Sequence, residues 1–200
     1  FLVRQIVDAL APSNFAATNP EFIRQALETQ GESIRRGIAN LLEDLHKGRI
    51  SMTDESAFEV GRNLAVTPGA VIAENPLMQL IQYAPLTEKV GERPLLIVPP
   101  NINKFYILDL QPENSLVRFA LEQGHTVFLI SWKNPGLTEA HYGWDDYLEL
   151  GPLQALQIVR EVTGVSDPNA LGFCVGGTML SCALAVARAR GETPVRSLTL

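Results

Sequence analysis

Two hundred residues, 46% of them hydrophobic, suit one domain or one domain with a helical extension, and carry too much apolar character for general disorder. A formal net charge of −6 without blocks of like charge argues against nucleic acid as the main partner, since phosphate binding needs a basic face. No apolar run of about 18 residues or more occurs, so no transmembrane span is expected, and two cysteines make no disulfide framework. Residues 1–65 read as a helical region. Leu2, Ile6, Val7 and Leu10 share one face of a first helix that Pro12 ends. Asn19-Pro20-Glu21 starts another, with a capping amide, a proline in the first turn and a carboxylate near the positive end. Ile23, Leu27, Ile34, Ile38, Leu41, Leu42 and Leu45 continue that helical spacing to Gly48, with Gly31 and Gly37 weakening its middle. This region is expected to be a packed scaffold.

Residues 66–200 change pattern and read as a second domain. Ala70–Ala73 and Leu77–Ile81 flank Asn75-Pro76 as two strands about a turn, which makes them antiparallel. Pro94–Val98 and Thr126–Ile130 are continuous apolar runs, the mark of buried strands. Between them Ser115–Gln123 is a short helix ending at Gly124. Trp144–Thr163 is a helix kinked at Gly151-Pro152 and closed by Gly164. Asn169–Phe173 is the fifth strand, Thr178–Ala189 a buried helix, and Val195–Leu200 begins a sixth strand. Strands alternating with helices imply an α/β fold with a mostly parallel sheet and right-handed crossovers. The chain opens on Phe1 and stops within an apolar run, so both ends read as cut, and an N-terminal leader is left open.

The string Leu171-Gly172-Phe173-Cys174-Val175-Gly176-Gly177-Thr178 sets a cysteine between two glycines as G-x-C-x-G, after a strand and before a helix. That is the layout of a nucleophile elbow, a tight turn that lifts a reactive side chain above a sheet. Cys174 is the expected nucleophile, with the positive end of the following helix aimed at its sulfur to favour thiolate. Cys182 is about 12 Å further along the same helix, too far to bridge, and reads as packing. Free thiols fit a reducing compartment, and the cytosol is the expected location. The oxyanion hole should use the backbone N–H of Val175 and a second N–H from the loop Pro99–Lys104; its prolines cannot donate, which points to Ile102 and its neighbours.

A cysteine nucleophile needs a base, usually a histidine oriented by a carboxylate. In this layout both follow the nucleophile, whereas His46, His125 and His141 all precede Cys174. None is in place, so base and acid are expected beyond Leu200, and the chain alone is expected to be inactive. His46 reads as a helix-end histidine, His125 as structural and His141 as exposed. Asp145-Asp146 reads as a pair at a helix start, and Asp109 as a structural hydrogen-bonding group. No cluster has metal-ligand spacing.

The blocks Pro99–Leu110, Glu122–Phe128, Ser131-Trp132-Lys133-Asn134-Pro135 and Gly172–Thr178, with Thr53–Gly61, resemble in the same order the polyhydroxyalkanoate synthases. The resemblance covers nearly the whole chain, and implies that residues 66–200 are the first part of an α/β-hydrolase-like catalytic domain. It implies an α/β-hydrolase-like acyltransferase that polymerises (R)-3-hydroxyacyl-coenzyme A into a polyester held in cytoplasmic granules, releasing coenzyme A. It assigns Cys174 as nucleophile and Val175 and Ile102 as oxyanion-hole amides. The aspartate and histidine have no counterpart in these 200 residues. Phe173 and Val175 look like the short-chain type, which prefers 3-hydroxybutyryl units. Gly151-Pro152 departs from a helix that is usually uninterrupted. The implied partners are the acyl-CoA substrate, the growing polyester and its granule surface, and a second copy of the chain. No cofactor is implied, because the coenzyme A thioester is the substrate. The competing readings are a thiol esterase or polyester depolymerase on the same fold, for which serine would be expected at the elbow, and a non-catalytic protein whose helical part docks to a partner or granule.

Overall fold

The computed structural model describes residues 1–200 and divides into two compact units, Phe1–Ala57 and Phe58–Leu200. The sequence boundary at 65/66 falls within the second unit. Its linker is tied there, because the Ala65 N–H donates to the Asp109 carbonyl (3.1 Å) and the Thr67 hydroxyl to the Asp109 carboxylate (2.5 Å).

The first unit holds α1 (Leu2–Ala9), α2 (Pro20–Glu28) and α3 (Glu32–Lys47). α2 starts where expected: Asn19 Oδ1 accepts the Glu21 and Phe22 N–H groups at 2.9 and 3.1 Å, and Pro20 supplies a preset φ. The continuous helix expected from Asn19 to Gly48 is two helices instead. Gln30 (φ 51°) and Gly31 (φ 85°) are both left-handed, a conformation that ends an α-helix and that glycine alone adopts freely. Gly37 stays inside α3 at no visible cost in geometry, and Gly48 (φ 70°) closes α3 as expected. Helix does not fill 1–65: after Lys47 there is only a 3₁₀ turn at Glu55–Ala57 and a bridge between Val60 and Leu64.

The second unit is a six-stranded sheet in the order β1-β2-β4-β3-β5-β6. Its strands are β1 (Gly69–Glu74), β2 (Met78–Tyr83), β3 (Leu95–Val98), β4 (Val127–Trp132), β5 (Asn169–Gly172) and β6 (Ser197–Thr199). β1 and β2 pair antiparallel, as the Asn75-Pro76 turn requires, and β2 also runs antiparallel to β4; β4, β3, β5 and β6 are parallel. The buried apolar runs carry a period of two that sorts them between the faces. Leu80, Leu96, Phe128 and Ile130 face one core, with α6 (Gln154–Thr163) and α7 (Val175–Ala189); Ile81, Ile97 and Leu129 face the other, with α4 (Leu116–Glu122). Helices thus cover both faces of the sheet, an α/β-hydrolase-like arrangement, with the nucleophile candidate directly after β5. The helix expected over 144–163 is interrupted as foreseen: α5 (Trp144–Leu148) passes through a π-helical turn at Glu149–Leu153 into α6. No helix is long and apolar enough to cross a membrane.

Candidate active site

The elbow is a consequence of how closely β5, β3 and α7 approach. Val98 at the end of β3 pairs with Gly172 at the end of β5, and the Phe173 N–H donates to the Val98 carbonyl at 3.0 Å. The chain must then reverse into α7 at once. A Cβ on Gly176 would lie 2.1 Å from the Val98 oxygen and 2.7 Å from the Pro99 carbonyl carbon. A Cβ on Gly172 would lie 2.5 Å from the Gly177 Cα. Both are backbone collisions that no rotamer relieves, so the two outer glycines of G-x-C-x-G are steric requirements of the turn.

Cys174 occupies the apex with φ 55° and ψ −126°. This lies outside the basins open to L-residues and is a conformation of the kind that persists only when the surroundings hold it. Here the surroundings are the flanking glycines and the start of α7: its carbonyl accepts the Gly177 N–H at 2.9 Å and the Thr178 N–H at 3.4 Å, so the helix begins on Cys174 itself. The side chain is exposed, with no hydrogen-bond partner. Cys182, one face of α7 further on, is half-buried and packs against the core, as expected.

Val175 is the first residue of α7, and its N–H donates to no backbone carbonyl; the Phe173 carbonyl takes the Gly176 N–H instead. The Ile102 N–H, in the loop after β3, is uncommitted in the same way, and Ile102 is 75% exposed. The β3 loop leaves the sheet beside the elbow because β3 and β5 are neighbours. Cys174, the Val175 amide and the loop carrying Ile102 therefore gather at the C-terminal ends of adjacent parallel strands, the edge where open α/β sheets bind ligands.

None of the three histidines is hydrogen-bonded to Cys174. His46 lies in the last turn of α3, where a cation meets the negative end of the helix. His125 is half-buried, its N–H donating to the Ala120 carbonyl just past α4, and His141 is exposed with its ring 4.1 Å from that of Tyr142. Asp109 is buried and structural, as its place between leucines suggested: Oδ1 accepts the hydroxyls of Thr67 (2.5 Å) and Ser115 (2.6 Å). Ser115 in turn caps α4 through the Arg118 N–H (2.9 Å). Burial, and after it the Asp109 charge, drives the Tyr83 phenol above its usual titration range. Asp146 accepts the Gly143 N–H (2.8 Å) at the start of α5, the capping role read for the Asp145-Asp146 pair. No group of His, Cys, Asp and Glu side chains could hold a metal ion.

Sequence reasoning missed one contributor. Trp132, buried at the end of β4, donates Nε1–H to the Pro99 carbonyl at 2.8 Å, where the Ile102 loop begins. The available signal was a tryptophan closing a buried strand, because an indole N–H taken out of water needs an acceptor.

The sequence pattern of the poly-beta-hydroxybutyrate polymerase (PhaC) N-terminus matches residues 1–120. Over all 200 residues the chain is 60% identical to the poly(3-hydroxyalkanoate) polymerase subunit PhaC of Cupriavidus necator, of which it covers 34%. It is 47% identical to the protein of that name from Rhizobium meliloti, of which it covers 33%, again using the whole chain. The chain thus spans about a third of the length of the curated relatives it matches. Among solved structures, an esterase from the archaeon Pyrobaculum calidifontis aligns over 65% of this chain and 45% of its own, at 14% identity and a TM-score of 0.43. Brefeldin A esterase aligns over 81% of this chain and 45% of its own, at 16% identity and a TM-score of 0.42.

Proposed function

The chain belongs to the poly-beta-hydroxybutyrate polymerase family, and from that membership and the bend at Cys174 we propose that the whole protein is an acyltransferase. It would join (R)-3-hydroxyacyl units, 3-hydroxybutyryl above all, from their coenzyme A thioesters into a polyester. The observation that carries this reading is the exposed sulfur of Cys174 on a left-handed, glycine-flanked turn at the head of α7, next to the unengaged Val175 N–H.

The chemistry divides into two transfers. First, Sγ gives its proton to a base and attacks the thioester carbonyl, forming a carbon–sulfur bond. The carbonyl electrons move to oxygen, and that oxyanion is held by the amides of Val175 and Ile102. Collapse breaks the bond to the coenzyme A sulfur, which leaves with a proton. One thioester replaces another, so the step is nearly balanced and the acyl group stays activated. Second, the hydroxyl of another hydroxyacyl unit attacks the acyl-Cys174 carbonyl, its proton passing to the base; an ester forms and the cysteine sulfur is released. A serine at the elbow would store the chain as a less reactive oxygen ester. The base and its orienting carboxylate are assigned to the remainder of the longer protein, since neither is found beside Cys174. Water must be kept from the acyl-enzyme for polymer to win over free acid. Cytoplasmic granules of the insoluble product, and a second copy of the chain, are the proposed setting.

The test uses full-length protein with 3-hydroxybutyryl-coenzyme A, following both coenzyme A release and polymer. Wild type is expected to give polymer, and Cys174→Ser to lower the rate by about three orders of magnitude or more, the scale seen when an essential nucleophile is lost. Release of free 3-hydroxy acid without polymer would favour a hydrolase, and a serine variant of near-normal activity would refute the role of Cys174.

A further inference from the structure

The loop that carries Ile102 has an unusual difficulty. It opens with Pro99-Pro100, neither of which has an N–H, so its first two residues can be fixed only through carbonyls and packing. Within residues 99–103 the only backbone hydrogen bond is a 3.4 Å turn from the Asn103 N–H to the Pro100 carbonyl. What ties the loop to the sheet by a hydrogen bond is the buried 2.8 Å contact from Trp132 Nε1 to the Pro99 oxygen.

The other end of the indole is held just as closely. Trp132 is 8% exposed, at the last position of β4 and paired with Met78. Its six-membered ring presses onto Gly151 in the π-helical turn: a Cβ there would lie 2.4 Å from Cη2 and 2.9 Å from Cζ3. Tyr147 flanks the ring at 5.8 Å between centroids. The turn is itself pinned, because Asn75 donates to the Leu150 carbonyl at 2.6 Å while its Oδ1 accepts the Leu77 and Met78 N–H groups. The Pro99 carbonyl, at the receiving end, also lies against the elbow, 2.7 Å from where a Gly176 Cβ would stand. One rigid side chain therefore spans from the Gly151 notch to the peptide shared by the elbow and the β3 loop.

We propose that Trp132 is a positioning residue for the oxyanion-binding loop: it fixes Pro99, and with it the distance of the Ile102 amide from Cys174, while Gly151 is glycine so that the indole can reach. This rests on the acyl-transfer reading above. Oxyanion donors act only when held in place, and displacement of about 1 Å can cost on the order of a hundredfold in rate. Trp132 supplies no group to the proposed acyl transfer, and its hydrogen bond goes to the Pro99 carbonyl, so its effect is expected to run through the loop. It also gives Gly151-Pro152 a purpose: the break in the helix is the seat of the strut.

The experiment compares full-length wild type with Trp132→Phe. A second variant replaces Trp132 by 3-benzothienylalanine, which keeps the ring outline and removes the N–H donor. A third, Gly151→Ala, pushes against the ring. Each is assayed for kcat and KM with 3-hydroxybutyryl-coenzyme A and for the rate at which iodoacetamide alkylates Cys174, a reaction that develops no oxyanion. The expected result is a kcat lower by about tenfold or more, with KM within about twofold and alkylation unchanged. An unchanged kcat in the benzothienyl variant overturns the proposal. So does a loss of alkylation parallel to the loss of turnover, which would make Trp132 a support of the fold at large. If active wild type is matched by active variants, only this inference fails. Wild type that releases no coenzyme A defeats the acyl-transfer reading and this inference with it.

Discussion

The two compact units treat the same raw material in opposite ways. In Phe1–Ala57 the apolar stripes of the helices face water: Ile38, Leu41, Leu42 and Leu45 along α3 are 54–68% exposed, and no residue of α1, α2 or α3 is buried. In Phe58–Leu200, Leu96, Phe128, Leu129 and Ile130 are wholly buried between sheet and helices. The first unit is held by local devices, namely the Asn19 cap and ion pairs one turn apart such as Glu21–Arg24 and Glu32–Arg35. Such exposed pairs contribute little each. The lesson is that amphipathic pattern states which face of an element is apolar, and burial depends on whether a second layer exists to cover it.

The sharpest way to break this comparison is a matched truncation in each unit. Phe128→Ala removes a ring from the middle of the sheet, where flanking strands leave little room to collapse. It is expected to cost about 3–5 kcal/mol of stability. Leu42→Ala removes a similar class of side chain from a surface that is 61% exposed, and is expected to stay within about 0.5 kcal/mol. Urea unfolding of the full-length protein, read as the shift in midpoint, measures both. Equal losses at the two positions would mean that α3 is covered in the full protein and would dissolve the contrast.

A finer probe asks whether the first unit depends on its caps. Asn19 Oδ1 satisfies two N–H groups of α2 that otherwise have no acceptor. Asn19→Ala is expected to cost about 1 kcal/mol, felt locally: amide exchange should quicken along Pro20–Glu28 and stay unchanged in β3 and β4. Exchange that quickens throughout would show that the units unfold as one.

Legibility followed the same divide. The strands were readable because buried parallel strands are apolar throughout and short, and each boundary fell within a few residues: Leu95–Val98 for 94–98, and Val127–Trp132 for 126–130. The elbow was readable because its glycines are dictated by contacts of 2.1 and 2.5 Å, so steric necessity wrote itself into the residue types. The split between α2 and α3 was not, because Gly31 and Gly37 look alike in sequence while only Gly31 takes φ 85°. What distinguishes them is the turn at Gln30, a left-handed residue that no local pattern announces. Trp132 was equally hidden, since its acceptor lies 33 residues away in the chain. Periodicity and turn chemistry are local signals, and a strut between β4 and the β3 loop is not.

The smallest expected effect tests whether the surface of the second unit behaves like the first. Glu139 accepts from Lys133 Nζ at 2.7 Å and from the Gly136 N–H at 2.7 Å, closing the loop after β4. The Lys133 hydrogen bond, then the Gly136 amide, hold its carboxyl down to about 2. A carboxyl depressed in the folded state contributes stability that is present above its unfolded value and fades as pH falls toward the folded one. The loop should therefore loosen between about pH 4.5 and pH 2, and the side-chain carboxyl carbon should titrate near the lower end of that window by NMR. Lys133→Met should move the midpoint up toward the ordinary carboxylate range while leaving the urea midpoint at neutral pH where it was, because the lysine of the pair is half exposed and solvent screens its charge. A midpoint that stays put in the methionine variant would assign the shift to the Gly136 amide and the Thr138 hydroxyl. A urea midpoint that drops would show the clasp to be part of the packed fold, and the second unit to differ from the first at its surface as well as in its core.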